Sequence, residues 1–523
     1  MKIIKFLSLS LLIVFSNSVS WGEIKSEEVQ GSLRNFHHNP SKAMDQLAPE
    51  VSQGKSNSRG SINYIDVTAK LMERNLIRGS IMAKSPQQFV TLSKMGDNDQ
   101  ATSLVDNKTV NSQIADLDRQ GLIHSSLKET PWADSYWPIY KGILGDRYAD
   151  PHFPNSKIWL ENYNYVLAYP ASSVVATGSV TEINNLSPAE KYDYLVGDSS
   201  MTMTNFSWTQ GQNYLNNVGF VQTWMGICHG WAGAAHMLQP VPGGPITLQA
   251  ANGMPITFYQ SDVKALESML WANSSPATRF SGTACKTSRP ERDPYGRVLE
   301  PGCLDNNPAT FFLTLTNQVG INQRSFVMDA TYDAEVWNYP ITSYEMTYFN
   351  PQSLHPTGNL NQAIIPIEQF TIDKFRVYRP SEAKYVVGVV TDVTFVIEIN
   401  PTHGLSNKPP TKTLRFMYDL ELDANKNVIG GEWYMNSHPD FMWTYEKGAQ
   451  AMARGEAAIN SADWNVSAPI PEAWRPLARQ ASAAGSPLYS VIKRILESAP
   501  HTTPGGPLDG PTDPPIEGTP TNP

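Results

Sequence analysis

One cysteine at the predicted start of a helix, followed along the chain by a β-rich region, constrains the fold more than any other feature of this sequence. Cys228 lies in the run Gly226-Ile-Cys-His-Gly-Trp-Ala-Gly-Ala-Ala235, whose small residues let other elements pack close to the helix. The dipole of a helix stabilises a thiolate at its N-terminus, and reactive cysteines are commonly built in this way. Cys228 is therefore either a nucleophile or a buried structural cysteine in a tightly packed core helix.

The other two cysteines favour the first of these alternatives. The first 15 residues hold two lysines and then an apolar stretch too short to cross a membrane, which predicts a secretory signal peptide over residues 1–22. The mature protein is then secreted or periplasmic. In such an oxidising compartment Cys285 and Cys303 are expected to form a disulfide. Cys228 is left over, and an odd cysteine in a secreted protein is either reactive or intermolecular.

The charge of the chain excludes one class of partner. The formal charge of −9 falls to −11 once Lys2 and Lys5 leave with the signal peptide. Phosphate binding needs clustered Lys and Arg, and the sequence has no basic run, so we expect no nucleic-acid partner. After the signal peptide no stretch reaches the length of a transmembrane helix, so no transmembrane segment is expected.

The composition divides the chain into unlike parts. A polar region with helical patterns precedes an aromatic-rich region, and a Pro-rich tail that cannot bury enough apolar surface to order itself comes last. The predicted parts are the signal peptide (1–22), a polar helical N-terminal region that is a possible pro-segment over the Cys228 cleft (23–130), a catalytic region (131–475), a C-terminal helix (476–499) and a disordered tail (500–523).

The middle of the aromatic-rich region has the residue pattern of β-strands separated by turns. The predicted strands are Thr310–Thr316, Ser325–Asp329, Ala383–Glu398, Leu414–Leu422 and Val428–Tyr434. A cysteine-bearing helix followed by an antiparallel β unit is the order of papain-like enzymes, so the predicted fold class is α+β with a papain-like core. In that plan a glutamine six residues before the nucleophile donates to the oxyanion, and Gln222 stands six residues before Cys228.

Three segments resemble one known family. Glu335-Val-Trp-Asn-Tyr-Pro-Ile-Thr-Ser-Tyr-Glu345 resembles the signature peptide of the oomycete cell-wall transglutaminase elicitors, a family with related proteins in bacteria. Pro131-Trp-Ala-Asp-Ser-Tyr-Trp-Pro138 and Gly226-Ile-Cys-His-Gly-Trp-Ala232 resemble further segments of it, so the similarity covers roughly residues 130 to 445. Tyr339 stands where the elicitors carry glutamine.

The resemblance implies a secreted, calcium-dependent protein-glutamine γ-glutamyltransferase with a papain-like core. It implies that Cys228 is the acyl-accepting nucleophile and that the tryptophan-rich signature peptide lies near the active centre. The partners it implies are protein substrates that supply glutamine, and lysine or another amine as acceptor.

The catalytic base is less plainly marked. A thiol nucleophile needs a histidine within hydrogen-bond reach and a third group that orients the ring. In the papain-like plan the histidine opens the strand before Asp329, but counting back along that plan leads to Phe311 and Phe312, which cannot titrate. The predicted base is therefore His438, which follows a predicted strand, with His403 second. The chain order Cys, Asp, His is acceptable because triads are defined by geometry.

Asp329 is predicted to orient the imidazole. It ends an apolar strand, where a buried carboxylate needs a partner. Capping of a turn is the alternative role for this residue. Asp333 and Glu335 are the next candidates along the chain.

Evidence for a metal site is thin in the residues themselves. Asp423, Asn425 and Asn427 carry oxygen atoms at alternating positions, as in the first half of a calcium loop. The sixth position is Val428 and the twelfth is Tyr434, where a calcium loop has Gly and Glu. A hairpin turn is the alternative, and zinc is disfavoured because no Cys and His cluster at ligand spacing.

Three functions are compatible with these residues. The first is a thiol acyltransferase in which an amine resolves a thioester on Cys228. The second is a cysteine protease or amidase with the same nucleophile, in which water resolves the acyl-enzyme. The third is a catalytically inactive relative that binds a surface, an interpretation that rests on the two phenylalanines at the expected histidine position.

Overall fold

The computed structural model describes residues 26–44, 99–237, 240–282, 291–295, 297, 299, 306–329, 336–406, 408–435 and 438–500. Four of the predictions lie outside these residues. They concern the signal peptide, the Cys285–Cys303 disulfide, the alternative carboxylates Asp333 and Glu335, and the tail after residue 500.

The described chain has fourteen α-helices, most of them in its first half. They are α1 (Ser26–His38), α2 (Pro40–Met44), α3 (Ile114–Arg119), α4 (Trp159–Ala168), α5 (Ala171–Thr177), α6 (Val180–Asn184), α7 (Pro188–Val196), α8 (Thr202–Val218), α9 (Cys228–His236), α10 (Gln260–Asn273), α11 (Pro308–Thr314), α12 (Leu360–Ala363), α13 (Arg475–Ala483) and α14 (Tyr489–Ser498). Their ends follow local signals. For example, α7 begins with Pro188 after Ser187, whose side chain forms a capping box with Glu190.

The described chain has twelve antiparallel strands, most of them in its second half. They are β1 (His124–Ser126), β2 (Ile246–Gln249), β3 (Pro255–Phe258), β4 (Thr278–Gly282), β5 (Val327–Asp329), β6 (Asn338–Asn350), β7 (His355–Thr357), β8 (Ile365–Pro366), β9 (Tyr385–Val396), β10 (Thr411–Leu422), β11 (Val428–Trp433) and β12 (Phe441–Tyr445). The main sheet has the order β11-β10-β9-β6-β5-β12-β4, with β1 and β7 on β6 and β8 on β9, while β2 and β3 form a separate hairpin. The mixed α+β class with an antiparallel sheet is confirmed.

The main sheet is strongly curled. Register shifts interrupt the β6–β9 and β10–β11 pairings, and such irregularities increase local twist. Asn306 then links the two ends of the strand order: its side chain donates to Ser281 Oγ of β4 at 2.9 Å, and its carbonyl accepts from Trp433 Nε1 of β11 at 2.8 Å. The curl encloses α11, whose Phe311 ring lies 5.5 Å from that of Trp433.

The strand predicted over Thr310–Thr316 is wrong, because these residues form α11 and the π-helical turn after it. Asn307 caps the helix by accepting from the Ala309 N–H, and Pro308 stands at its first position. A short apolar run buried on all sides has no period that separates strand from helix. Since no strand carries Phe311 and Phe312, they do not stand at the histidine position of a papain-like sheet.

The predictions for the later strands agree with the structure. Ala383–Glu398, Val428–Tyr434 and Ser325–Asp329 contain β9, β11 and β5, and Leu414–Leu422 covers β10 except for its first three residues. The single C-terminal helix predicted over 476–499 is instead two helices, α13 and α14. Gly485 at φ +72° and Pro487 lie between them. A left-handed residue ends a helix, and a proline has no N–H with which to continue one.

The composition change at residue 131 does not coincide with a break in the fold. β1 pairs with β6 of the main sheet, and Asp106 forms ion pairs with Arg279 and Arg324. α1 packs its Phe36 ring on Tyr434 at 4.6 Å. The Tyr434 hydroxyl donates to Asp419 on β10. Successive residues of a strand point to opposite faces, so Asp419 lies on the face of β10 opposite to Tyr418, whose ring is near that of Phe311. The described N-terminal helix therefore lies outside the curl, and the predicted covering of the Cys228 cleft stays a prediction.

In the part of the chain that the structure describes, no helix has both the length and the apolar character needed to cross a membrane.

Candidate active site

The position of Cys228 is set by the segments on either side of it. Cys228 is the first residue of α9 and is 4% exposed. The Ile227 N–H before it donates to the Tyr136 carbonyl at 2.7 Å. A Cβ at Gly226 would lie 2.2 Å from the same carbonyl oxygen, so only glycine allows this approach. The thiol thus sits at the positive end of a nine-residue helix, in a turn held by the segment that contains Tyr136.

The small residues of α9 bring it close to its neighbours, as the sequence indicated. A Cβ at Gly230 would lie 2.1 Å from the Ser268 carbonyl of α10. A Cβ at Gly233 would lie 2.8 Å from the ring of Tyr445 on β12. The helix is therefore packed against both α10 and the sheet, and the sulfur at its start is held in place.

Two polar groups of the signature peptide approach the sulfur. Asn338 Nδ2 donates to Cys228 Sγ at 3.4 Å, and the thiol hydrogen can be donated to the Val336 carbonyl at 3.8 Å. The Val336 carbonyl accepts a hydrogen bond from the protonated thiol, whereas the Asn338 amide N–H stabilises the thiolate by donating to it. A donor to the charged form favours that form.

Trp443 on β12 determines which end of the Asn338 amide faces the sulfur. The indole Nε1–H is a donor only, and it donates to Asn338 Oδ1 at 2.8 Å. The amide oxygen is thereby engaged, so the amide nitrogen is the group turned towards Cys228. Asn338 and Trp443 are both buried, which strengthens this short chain of hydrogen bonds.

Asp329 belongs to the same cluster. It is fully buried on β5 directly opposite Asn338, and its Oδ1 accepts from the Trp337 N–H at 3.1 Å. This contact holds the peptide that carries Asn338 in place. The structure therefore brings Asp329 and Cys228 together through the signature peptide.

His438 lies beside Trp433 in the structure. Its buried ring lies 5.4 Å from that of Trp433 on β11. Burial, helped by the positive charge of Arg292, lowers the pKa of His438 to about 3. The imidazole is consequently neutral across the physiological range and is a weak base there.

The remaining candidates occupy defined places. Gln222 is half-buried in the turn between α8 and α9. His403 stacks on Tyr259 with ring centroids 3.6 Å apart, and burial lowers its pKa. His236, two turns along α9, bonds Thr444 Oγ1 at 3.0 Å, and burial lowers its pKa to about 3.

Asp423, Asn425 and Asn427 form a hairpin turn between β10 and β11. Asp423 Oδ1 accepts from the backbone N–H groups of Asn425 and Asn427 at 2.8 Å, and Oδ2 accepts from Asn427 Nδ2 at 2.9 Å. The carboxylate is used by the turn, so these residues do not fit a calcium ion. In the described residues no group of three or more His, Cys, Asp and Glu side chains is placed to hold a metal.

Sequence reasoning missed Asn338 and Trp443. Asn338 lies within the signature peptide, so its sequence position already indicated that it is near the active centre. Trp443 is 105 residues further along the chain, and no local pattern links the two.

A buried thiol at a helix N-terminus, packed against a curled antiparallel sheet, defines an α+β protein with a candidate cysteine nucleophile. Residues 105–465 match the family described as Transglutaminase elicitor, and the chain belongs to this family. The resemblance drawn from the three sequence segments is thereby confirmed. The chain is also similar to the crystal structure of the GP42 transglutaminase from Phytophthora sojae, at 19% identity and a TM-score of 0.49, over 78% of this chain and 99% of that one. No curated protein matches the chain.

The hydrogen bonds around Cys228 lead to a reactivity prediction. We expect Asn338→Leu to slow alkylation of Cys228 by iodoacetamide about tenfold or more near neutral pH, because a hydrogen bond to a charged group contributes about 1.5–3 kcal/mol. Trp443→Phe keeps the ring but frees the amide to rotate, so it should slow alkylation by a smaller factor. The rate is measured by mass spectrometry of the Cys228 peptide.

Trp464→Phe is the matched control. It removes a buried indole N–H that donates to the Ala468 carbonyl at 2.9 Å, a bond within the C-terminal part of the chain. Its alkylation rate should equal that of the wild type. Equal rates in all three variants would contradict the role given to the Asn338 amide.

Proposed function

We propose that this protein is a secreted protein-glutamine γ-glutamyltransferase with a papain-like catalytic core, in which Cys228 is the nucleophile. The observation that carries the proposal is the donation from the Asn338 amide, oriented by Trp443, to a sulfur at the N-terminus of α9. Membership of the transglutaminase elicitor family supports the acyl-transfer chemistry.

In the proposed first step the Cys228 sulfur attacks the carboxamide carbon of a glutamine side chain. The Cys228 backbone N–H and the Gln222 amide are proposed to donate to the oxyanion that forms. His438 is proposed to take the thiol proton and give it to the departing nitrogen, so that ammonia leaves and a thioester remains. Asp329 is proposed either to orient the imidazole or to fix the signature peptide by accepting from the Trp337 N–H.

In the second step an amine attacks the thioester carbonyl. The C–N bond forms, the C–S bond breaks, and the thiol of Cys228 is regenerated. Water in place of the amine would give a glutamate, which is the outcome of the hydrolase alternative. Phe311 and Phe312 lie on α11 and not on a strand, so they no longer favour an inactive relative.

The proposal predicts that the purified protein incorporates biotin-cadaverine into casein and releases ammonia as it does so. Both products are measured in the same reaction, with calcium or with EDTA. Ammonia release without incorporation would assign the protein to hydrolases. Absence of both products in every condition would contradict the proposal and favour a surface-binding relative.

The calcium arms of this assay address a dependence that rests on the family resemblance alone. The oxygen atoms of Asp423 and Asn427 close the hairpin turn, and the proposed steps use no metal ion. Equal rates with calcium and with EDTA are therefore compatible with the chemistry of the described residues.

A further inference from the structure

A carboxylate without a role in the proposed chemistry lies beside the signature peptide. Glu398 follows β9 and is half-buried. Its backbone is held on both sides, since the Ile397 N–H donates to the Pro410 carbonyl at 3.1 Å and the Ile399 N–H to the Asp134 carbonyl at 3.0 Å. The segment therefore presents the Glu398 side chain from a fixed position.

Tyr339 connects this carboxylate to the active site. Its hydroxyl donates to Glu398 Oε2 at 3.4 Å, and its neighbour along the chain, Asn338, donates to the Cys228 sulfur. Burial, followed by the negative charges of Glu398, Cys228 and then Asp329, raises the pKa of Tyr339 well above its usual value. Glu398 and Cys228 thus both lie within electrostatic reach of one hydroxyl group, which stays a donor.

Aromatic rings pack around Tyr339. The Trp337 ring is parallel to that of Tyr339 at 6.3 Å, and the half-buried Tyr136 ring meets Trp337 edge-on at 5.6 Å. Glu398 and Tyr136 are both partly open to solvent, so a substrate group can reach them. A carboxylate beside aromatic rings is a chemical environment that attracts an alkylammonium ion.

We propose that Glu398, with the half-buried ring of Tyr136, forms the subsite for a cationic amine acceptor such as a lysine side chain. This inference rests on the proposed function and assigns residues to its amine acceptor. The glutamine donor carries a neutral carboxamide and has no need of a carboxylate partner. The alkylammonium and the thioester give the amide, the Cys228 thiol and one proton, which passes to solvent.

The test compares charged and uncharged nucleophiles. Glu398→Gln keeps the shape and still accepts from the Tyr339 hydroxyl, but it removes the negative charge. We expect the KM for cadaverine to rise about 10- to 100-fold at neutral pH, since a charged partner is lost. The rate with hydroxylamine, which is uncharged at neutral pH, should not change, and neither should ammonia release from the glutamine donor.

Glu345→Gln is the matched control, because it neutralises a half-buried carboxylate on β6, seven residues along the strand from Asn338. It should leave the KM for cadaverine unchanged. If Glu398→Gln lowered the rates with cadaverine and hydroxylamine equally, or changed neither, the subsite would be overturned.

A binding measurement separates this inference from the proposed function. Cadaverine is titrated by calorimetry into the Cys228→Ser protein with and without Glu398→Gln. Loss of binding in the double variant supports the subsite, even if the wild type proves to be a hydrolase. Equal affinity in both proteins overturns the subsite, even if the wild type is an active transglutaminase.

Discussion

Cys228→Ser and Cys228→Ala are expected to abolish incorporation of biotin-cadaverine into casein, with a loss on the order of 10⁴-fold or more. The thioester forms on this sulfur in the proposed mechanism, and a serine hydroxyl at the same place is a far weaker nucleophile because it stays protonated. Ammonia release should disappear together with incorporation, because both products come from the same acyl-enzyme.

The melting temperature is the control for this experiment. Cys228 is buried, so the serine variant costs about 1–3 kcal/mol if its hydroxyl finds no partner. The Val336 carbonyl that lies 3.8 Å from the sulfur is available as an acceptor for that hydroxyl. A folded serine variant that still incorporates the amine would place the nucleophile elsewhere in the chain.

His438→Gln is expected to lower the rate of amine incorporation by about a hundredfold or more, which is the usual contribution of general acid–base catalysis. The burial that lowers the pKa of His438 to about 3 keeps its imidazole neutral above that pH. With this pKa the imidazole is a weak base, because a general base is most efficient when its pKa lies near the operating pH. The pH profile of kcat/KM should therefore have no acid limb near the ordinary histidine value of about 6.5.

His236→Gln is the matched control for this variant. His236 is also buried with a pKa of about 3, but it lies two turns along α9 and bonds Thr444. Its substitution should lower the melting temperature and leave kcat near that of the wild type. If His438→Gln were as active as His236→Gln, the base would be another residue, and His403 would be the next to substitute.

Local patterns were sufficient for those elements whose sequence has a clear period or a clear turn. The hairpin of β10 and β11 follows from two β-rich runs around Asp423, whose side chain accepts from the N–H groups of its own turn. The start of α9 at Cys228 follows from the small-residue run. These features depend on residues within a few positions of each other, so the sequence displays them directly.

The same reasoning failed where burial is complete. Every residue of Thr310–Thr316 is buried, and Phe311 of α11 packs on Phe416 of β10 at 5.0 Å. A run buried on every face has no period that separates helix from strand, and the local signs of a helix were the asparagine cap at Asn307 and the proline after it. The predicted departure from the papain-like histidine position was a consequence of this error.

By itself, the sequence determined the family, the α+β class and the cysteine at a helix N-terminus, because each depends on short segments read in order. The tertiary structure alone decided what surrounds the sulfur. Asn338 meets Cys228 across 110 positions of the chain and Trp443 meets Asn338 across 105, and Glu398 reaches Tyr339 across 59. Contacts of this kind are made by the curl of the sheet and the packing of α9 against it, and no local pattern of residues encodes them.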